Sequence, residues 1–339
     1  MVEYRFSTNI GGAPLLIDLV TLVLSFLIVY ALVPLMRKVA LRTGFVDLPT
    51  DRKAHKAPLP MLGGAAMMIG FTLVTVTLHH FLINTFPKTD KPFLGLIIGS
   101  VVMFIVGMID DYAKTRKREF PAWPKFIAQM IAASILIYCG ATIKGVQNPF
   151  QPGSYIAFAS WVSDLLTILW VVGIINVFNF LDGLDGLAGG IAAMSATTLL
   201  VISTLKGDWS SAVLAAALIG VTLAFLRFNF YPARIIMGDA GSTFLGFVLA
   251  TIAITGAFKS ATVISIFVPV LALGVPIFDA IYVVLKRMKE KRPVYKADRS
   301  HGHYRLMAAG LTQIQTVSVM YLAALGFSII SIAIVVWNH

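Results

Sequence analysis

Long apolar stretches, interrupted at short intervals by compact polar clusters, set the pattern of this chain. Runs long enough to cross a bilayer as helices lie near 15–36, 61–83, 93–109, 124–142, 161–178, 186–205, 210–228, 240–257, 262–285 and 316–337. The pattern predicts about ten transmembrane helices, with the stretch at 186–205, which carries Gly and Ser, the weakest of them. A soluble α/β domain would show shorter apolar runs bounded by turns. The expectation is an all-α integral membrane protein, a single polytopic domain over residues 1–339.

Composition agrees, with 58% hydrophobic residues and 13% charged ones, too little charge for a soluble surface. The single cysteine, Cys139, falls in a predicted span and can form no internal disulfide. The first apolar run is too long for a signal-peptide core and lacks a convincing cleavage site, so it is expected to be retained.

Lys and Arg set orientation. Segments 37–60, 110–125, 176–187, 227–239 and 286–313 hold 21 of the 27, against Arg5, Lys88, Lys91, Lys144, Lys206 and Lys259 elsewhere. Those five loops are therefore predicted to be cytoplasmic, and ten spans put both termini outside. The formal charge of +11 reads as this bias together with affinity for anionic membrane lipid. It is not a nucleic-acid footprint, because no compact basic domain carries it.

The acidic clusters and a pair of histidines fall in these same loops. Carboxylates near lipid mark a reaction site or an ion path. Asp110-Asp111 follow the third span, and two adjacent carboxylates repel unless a cation lies nearby. Lys114 and Arg116-Lys117-Arg118 come next, cations suited to a phosphate head group or simply to orientation. In Asn176-Val177-Phe178-Asn179-Phe180-Leu181-Asp182-Gly183-Leu184-Asp185-Gly186, a spacing of three puts Asp182 and Asp185 on one face if the stretch is helical. The 176–187 segment has no Lys or Arg, so its acids need a cation from elsewhere. Asp239, in Met237-Gly238-Asp239-Ala240-Gly241-Ser242, suits either a Mg²⁺ ligand or a helix N-cap. His301 and His303 have no third ligand nearby for zinc; beside Arg299 and Arg305 they suit an anionic diphosphate. Asp279, inside the ninth predicted span, suggests a helix-packing hydrogen bond or a supporting role. His79 and His80 lie at the opposite end of a span, away from these clusters.

On these motifs the chain resembles the polyprenyl-phosphate N-acetylhexosamine-1-phosphate transferases, from about residue 34 to 315. The resemblance rests on Asp110-Asp111, the Asn-x-x-Asn-x-x-Asp-Gly-Leu-Asp-Gly-Leu-Ala run, Met-Gly-Asp-Ala-Gly-Ser, and the His-x-His loop. It implies that undecaprenyl phosphate attacks the β-phosphate of a UDP-N-acetylhexosamine with Mg²⁺ help (Mn²⁺ substituting), releasing UMP at the cytoplasmic face of a bacterial membrane. It further implies that Asp239 ligates the metal and that Asp110 is the base or the acid facing the lipid phosphate, with Asp111 beside it. Asn179, Asp185 and Asn229 would hold the uridine end and Asp182 would shape the site. His301, His303 and Arg299 would meet the diphosphate or sugar; Lys53, Lys114 and Lys125 would complete the substrate contacts.

Direct attack by the lipid phosphate is favoured over an aspartyl intermediate, since that phosphate is already an anionic nucleophile. Two departures stand out: Tyr304 replaces a third His common in the family, and Ile236 replaces a Phe. The form of the His301-Gly302-His303 loop resembles the branch using simple UDP-HexNAc donors, such as UDP-GlcNAc for teichoic acid or O-antigen. The muramyl-pentapeptide donor of peptidoglycan is the alternative. A homodimer is compatible with the resemblance. A secondary transporter, the competing class, would carry its acids near mid-membrane at broken, repeated helices; here they gather at one face and no repeat is visible.

Overall fold

The computed structural model describes residues 13–48, 58–82, 90–116, 118, 120–147, 155–257, 264–291 and 300–337. It is a helical bundle of α1 (Ala13–Thr43), α2 (Gly63–Leu82), α3 (Asp90–Thr115), α4 (Ala122–Tyr138), α5 (Ser160–Leu181), α6 (Leu187–Leu205), α7 (Trp209–Asn229), α8 (Gly238–Ile252), α9 (Ile264–Ala272), α10 (Gly274–Lys289), α11 (Gly302–Ala308) and α12 (Gln313–Trp337). Two short antiparallel hairpins, β1 (Val46–Asp47) with β2 (Leu59–Pro60) and β3 (Gly145–Gln147) with β4 (Tyr155–Ala157), lie in connections expected to be plain loops.

Eight of the described helices, α1, α2, α3, α5, α6, α7, α8 with its following turn, and α12, are long and apolar enough to cross a membrane. They account for eight of the ten predicted spans, including the weak one at 186–205, which is α6. The span near 124–142 is the 17-residue α4. The span near 262–285 is broken at Leu273 into α9 and α10. Pro276 explains the break: it lacks an N–H, and its ring clashes with the carbonyl of Ala272 in a continuous helix.

α8 runs through the middle of the bundle, packed on α2, α3 and α5. All its residues except Asp239 are buried, the behaviour of a helix apolar all round. Small residues let its neighbours approach closely, as membrane helix packing favours: a Cβ on Gly107 of α3 would meet Ala240 N at 2.6 Å. The outer helices turn large apolar side chains outward, among them Leu15, Leu19 and Leu27 of α1 and Leu322 and Ile329 of α12. A lipid-facing surface requires this. Backbone polar groups, by contrast, are satisfied within helices.

The first inter-helix connection is stitched to the start of α8. Ile236 N–H donates to Pro60 O (2.9 Å), Gly63 N–H to Ile236 O (3.0 Å) and Gly64 N–H to Met237 O (3.1 Å). Ile236, where the family often has Phe, thus serves here through its backbone.

Candidate active site

Asp110 and Asp111 sit in the last turns of α3 rather than in the loop predicted after it. Apolar-run length hides this, because the helix continues past its apolar part. Asp111 is fully buried, and its Oδ1 and Oδ2 accept the N–H groups of Asp239 (2.8 Å) and Ala240 (3.0 Å). It therefore supplies from another helix the acceptors that the first turn of α8 lacks. Gly238 makes this possible. Its φ is +68°, and a Cβ there would collide with the Asp111 carboxylate. Asp239 does not cap its own helix; its side chain points to two lysines.

Those lysines form the centre of the cluster. Lys125, from α4, donates to Asp110 Oδ2 at 2.9 Å and to Asp239 Oδ2 at 3.0 Å. Lys114, one turn beyond Asp110, bonds Asp239 and lies 3.3 Å from Asp110 Oδ2 and 3.5 Å from Asp111 Oδ1. Three carboxylates thus share two ammonium groups, a net negative pocket whose lysines keep partial exposure.

The α5–α6 connection borders this cluster. Asn176 and Asn179 lie within α5, not in a loop, and Asp182 is the residue that ends it. The 182–186 stretch is a turn, so Asp182 and Asp185 do not share a helix face as their spacing suggested. Burial, then the Asp239 and Asp111 carboxylates, push the Asp182 carboxyl up to about 8. Asp185 Oδ2 accepts Ala233 N–H (3.0 Å). Asn229 accepts Gly186 N–H (3.0 Å) and donates to Ile235 O (2.9 Å), so its buried amide braces two loops. Asn179 donates to Ser242 Oγ (3.0 Å).

His303 is wholly buried on α11, and among the described residues neither ring nitrogen has a hydrogen-bond partner. Burial first, then His301, hold its imidazole down to about 4, so it is neutral near pH 7. It abuts the α5–α6 turn: a Cβ on Gly183 would meet His303 Nε2 at 2.7 Å and the Tyr304 hydroxyl at 3.0 Å. His301 stacks on His303 with ring centroids 5.9 Å apart and packs on Phe180. Tyr304, the departure from the third His, leans on His303 at 4.2 Å.

The structure therefore gathers Asp110, Asp111, Lys114, Lys125 and Asp239 into one ion cluster, with the end of α5 and the 182–186 turn beside it, His301 against Phe180 of α5 and His303 against Gly183 of that turn. Lys53 and Arg299 lie outside the described residues. Sequence reasoning missed Gln129, which exchanges amide hydrogen bonds with Asn176 at 3.2 and 2.7 Å; an amide inside an apolar span was the available signal. It also missed Ser242 as the partner of Asn179.

Asp110 Oδ2 and Asp239 Oδ2 both bond the Lys125 ammonium. Hard oxygen donors that already gather at a cation suit Mg²⁺, which uses one or two carboxylates and leaves its other positions to water and phosphates. No group of three or more His, Cys, Asp or Glu side chains able to hold a metal occurs among the described residues.

The sequence profile of glycosyl transferase family 4 matches residues 93–257. The chain is 34% identical to a Bacillus subtilis (strain 168) protein described as a probable undecaprenyl-phosphate N-acetylglucosaminyl 1-phosphate transferase, over 93% of this chain and 84% of that one. It is 32% identical to the decaprenyl-phosphate N-acetylglucosaminephosphotransferase of Mycobacterium tuberculosis, over 92% and 81%. A phospho-N-acetylmuramoyl-pentapeptide-transferase of Bacillus licheniformis is 27% identical, over 94% and 98%.

Proposed function

The chain belongs to the polyprenyl-phosphate N-acetylhexosamine-1-phosphate transferases, and we propose that it moves GlcNAc-1-phosphate from UDP-GlcNAc to undecaprenyl phosphate, releasing UMP. The observation that carries this reading is the ion cluster. Two lysines and three carboxylates meet where the ends of α3, α4 and α8 converge, among helices that face lipid. A phosphate on a membrane-embedded chain and a water-soluble nucleotide sugar need such a place to meet.

Phosphoryl transfer depends on positioning and charge neutralisation more than on covalent chemistry by the protein. An oxygen of the lipid phosphate forms a bond to the β-phosphorus of the donor while the bond between that phosphorus and the bridging oxygen breaks, and UMP leaves with that oxygen. Lys114 and Lys125 attract the lipid phosphate into the cluster and offset its charge. Asp110, bonded to both lysines, is the carboxylate placed to take the last proton of that phosphate. Asp239 would hold Mg²⁺, which when bound offsets the charge of the donor's phosphates. Asp111 keeps Asp239 in place through α8. Asn179 and Asp185 border the nucleotide end, and His301 and His303 lie beside the turn that carries Asp182.

Similarity to the two GlcNAc-phosphate relatives exceeds that to the muramoyl-pentapeptide relative, which supports the simpler donor. The Lys and Arg distribution supports a cytoplasmic cluster; ten crossings need α4 and the α9–α10 pair to span as well, and the bacterial relatives support a bacterial cytoplasmic membrane.

The reading is tested with Asp239→Asn in the purified protein. An amide loses most of a carboxylate's attraction for Mg²⁺, so the variant should require far more Mg²⁺ and turn over at least about tenfold more slowly. Normal turnover at low Mg²⁺ would overturn the assignment of Asp239.

A further inference from the structure

Asp279 stands apart from the ion cluster, on α10, shortly after the break at Leu273. Its carboxylate is tied twice to the residues that open α11. Oδ2 lies 2.8 Å from His301 Nδ1, and Oδ1 accepts Gly302 N–H at 2.6 Å. His301 is in extended conformation (φ −63°, ψ 150°) at the N-cap of α11, with no cap bond from its own side chain. Asp279 therefore does two things at once. It satisfies an N–H in the first turn of a seven-residue helix, and it fixes the ring immediately before it. His301 is 6% exposed and packed between Phe180 and His303.

We propose that Asp279 is a positioning residue for the transfer reaction. It holds His301 with Nδ1–H directed to its carboxylate and leaves Nε2, a lone-pair acceptor in that tautomer, as the one ring nitrogen available to a hydroxyl or N–H group of the donor's sugar; this rests on the transferase reading above. A carboxylate bonded to one imidazole nitrogen selects the tautomer, fixes the ring plane and raises the basicity of the other nitrogen. An Nε2 lone pair held in this way accepts a hydrogen bond in one fixed direction. His303 shows the contrast: it is wholly buried, and among the described residues neither of its ring nitrogens has a hydrogen-bond partner to select a tautomer. Among the described residues, the groups facing His301 are Asp279 from α10, His303 from its own helix and the Phe180 ring from α5; Asp279 is the anion among them.

Two measurements test this. The first is ¹⁵N NMR of the histidine rings in the full-length protein, which has six histidines, with His301 assigned through His301→Gln. His301 should show a protonated Nδ1, and in Asp279→Asn its ring should shift to a mixture of tautomers. Asp279→Asn keeps an oxygen for Gly302 N–H, so α11 remains anchored. An unchanged ring signal would overturn the proposal. The second is kinetic. Asp279→Asn and His301→Ala should each lower kcat/KM for UDP-GlcNAc by about ten- to a hundredfold, with the KM for undecaprenyl phosphate unchanged. Asp279→Glu should recover part of the rate. The double variant should be no slower than His301→Ala, because one residue acts through the other; losses that multiply would contradict the proposal. Absence of transfer in the unmodified protein would count against the transferase reading, and the ring measurement would still decide the role of Asp279.

Discussion

Asp111 has both carboxylate oxygens committed to the backbone of α8, whereas Asp110 shares one oxygen between two lysines. Their variants should therefore fail differently. Asp111→Asn turns an acceptor into a donor facing a buried N–H, a loss of about 1–3 kcal/mol. Both activity and unfolding temperature should fall, at every pH. Asp110→Asn should leave the unfolding temperature near that of the unmodified protein and lower the maximal rate. The rate should recover in part as pH rises and the lipid phosphate, with a second pKa of about 6, ionises unaided. Rate-pH profiles beside thermal unfolding separate the two. At His303 the sign of the pH effect is fixed by burial. Its imidazole is held down from 6.5 to about 4 in the folded protein, so the unfolded chain binds the proton more readily. Stability is complete above the unfolded value and is lost as pH falls from 6.5 towards 4, by roughly 3 kcal/mol in full. Asp182, held up at about 8, acts in the opposite sense in both proteins, so the measurement is a comparison: from pH 7 to pH 5 the unfolding temperature in detergent should change less favourably in the unmodified protein than in His303→Leu, and identical changes would contradict the assignment.

The start of α8 is the element on which the cluster depends. Three connections converge there: the end of α3 through Asp111, the Pro60–Gly64 segment through its backbone, and Asn179 through Ser242. Gly238→Ala should strain a left-handed residue by about 1–2 kcal/mol and drive a methyl into the Asp111 carboxylate. The expected result is an activity loss of at least about tenfold with a lowered unfolding temperature, measured on the purified protein; an unaffected variant would mean the cap is dispensable. The Gly-Asp motif announces this position in the sequence, but its partner does not, since Asp111 and Asp239 are 128 residues apart. Likewise the helices are legible from the length of the apolar runs alone. The ends of α3 and α5 are not, because a helix that continues past its apolar part carries polar residues with no change of pattern that hydropathy detects. Pro276 lies in plain sight, yet membrane helices tolerate proline, so the sequence alone does not show that the span breaks into α9 and α10 at Leu273.

Across the whole molecule, helices that face lipid surround α8, and the charged cluster sits at the end of that central helix. The position of the acids at helix ends argues for chemistry at one membrane face and against a path through the middle. Donor choice belongs to this scale, because it is read from likeness over more than nine-tenths of the chain and not from a single pocket. UDP-GlcNAc should be turned over and the muramyl-pentapeptide donor refused in the same membranes; faster turnover of the peptide donor would reverse that assignment. The central claim is a single displacement by the lipid phosphate, and UMP release from the purified protein tests it most directly. With UDP-GlcNAc, undecaprenyl phosphate and Mg²⁺ together, UMP and the lipid-linked sugar diphosphate should appear in equal amounts, and omission of the lipid should abolish UMP release. A stoichiometric burst of UMP without lipid, or no lipid-linked product when all three are present, would contradict it.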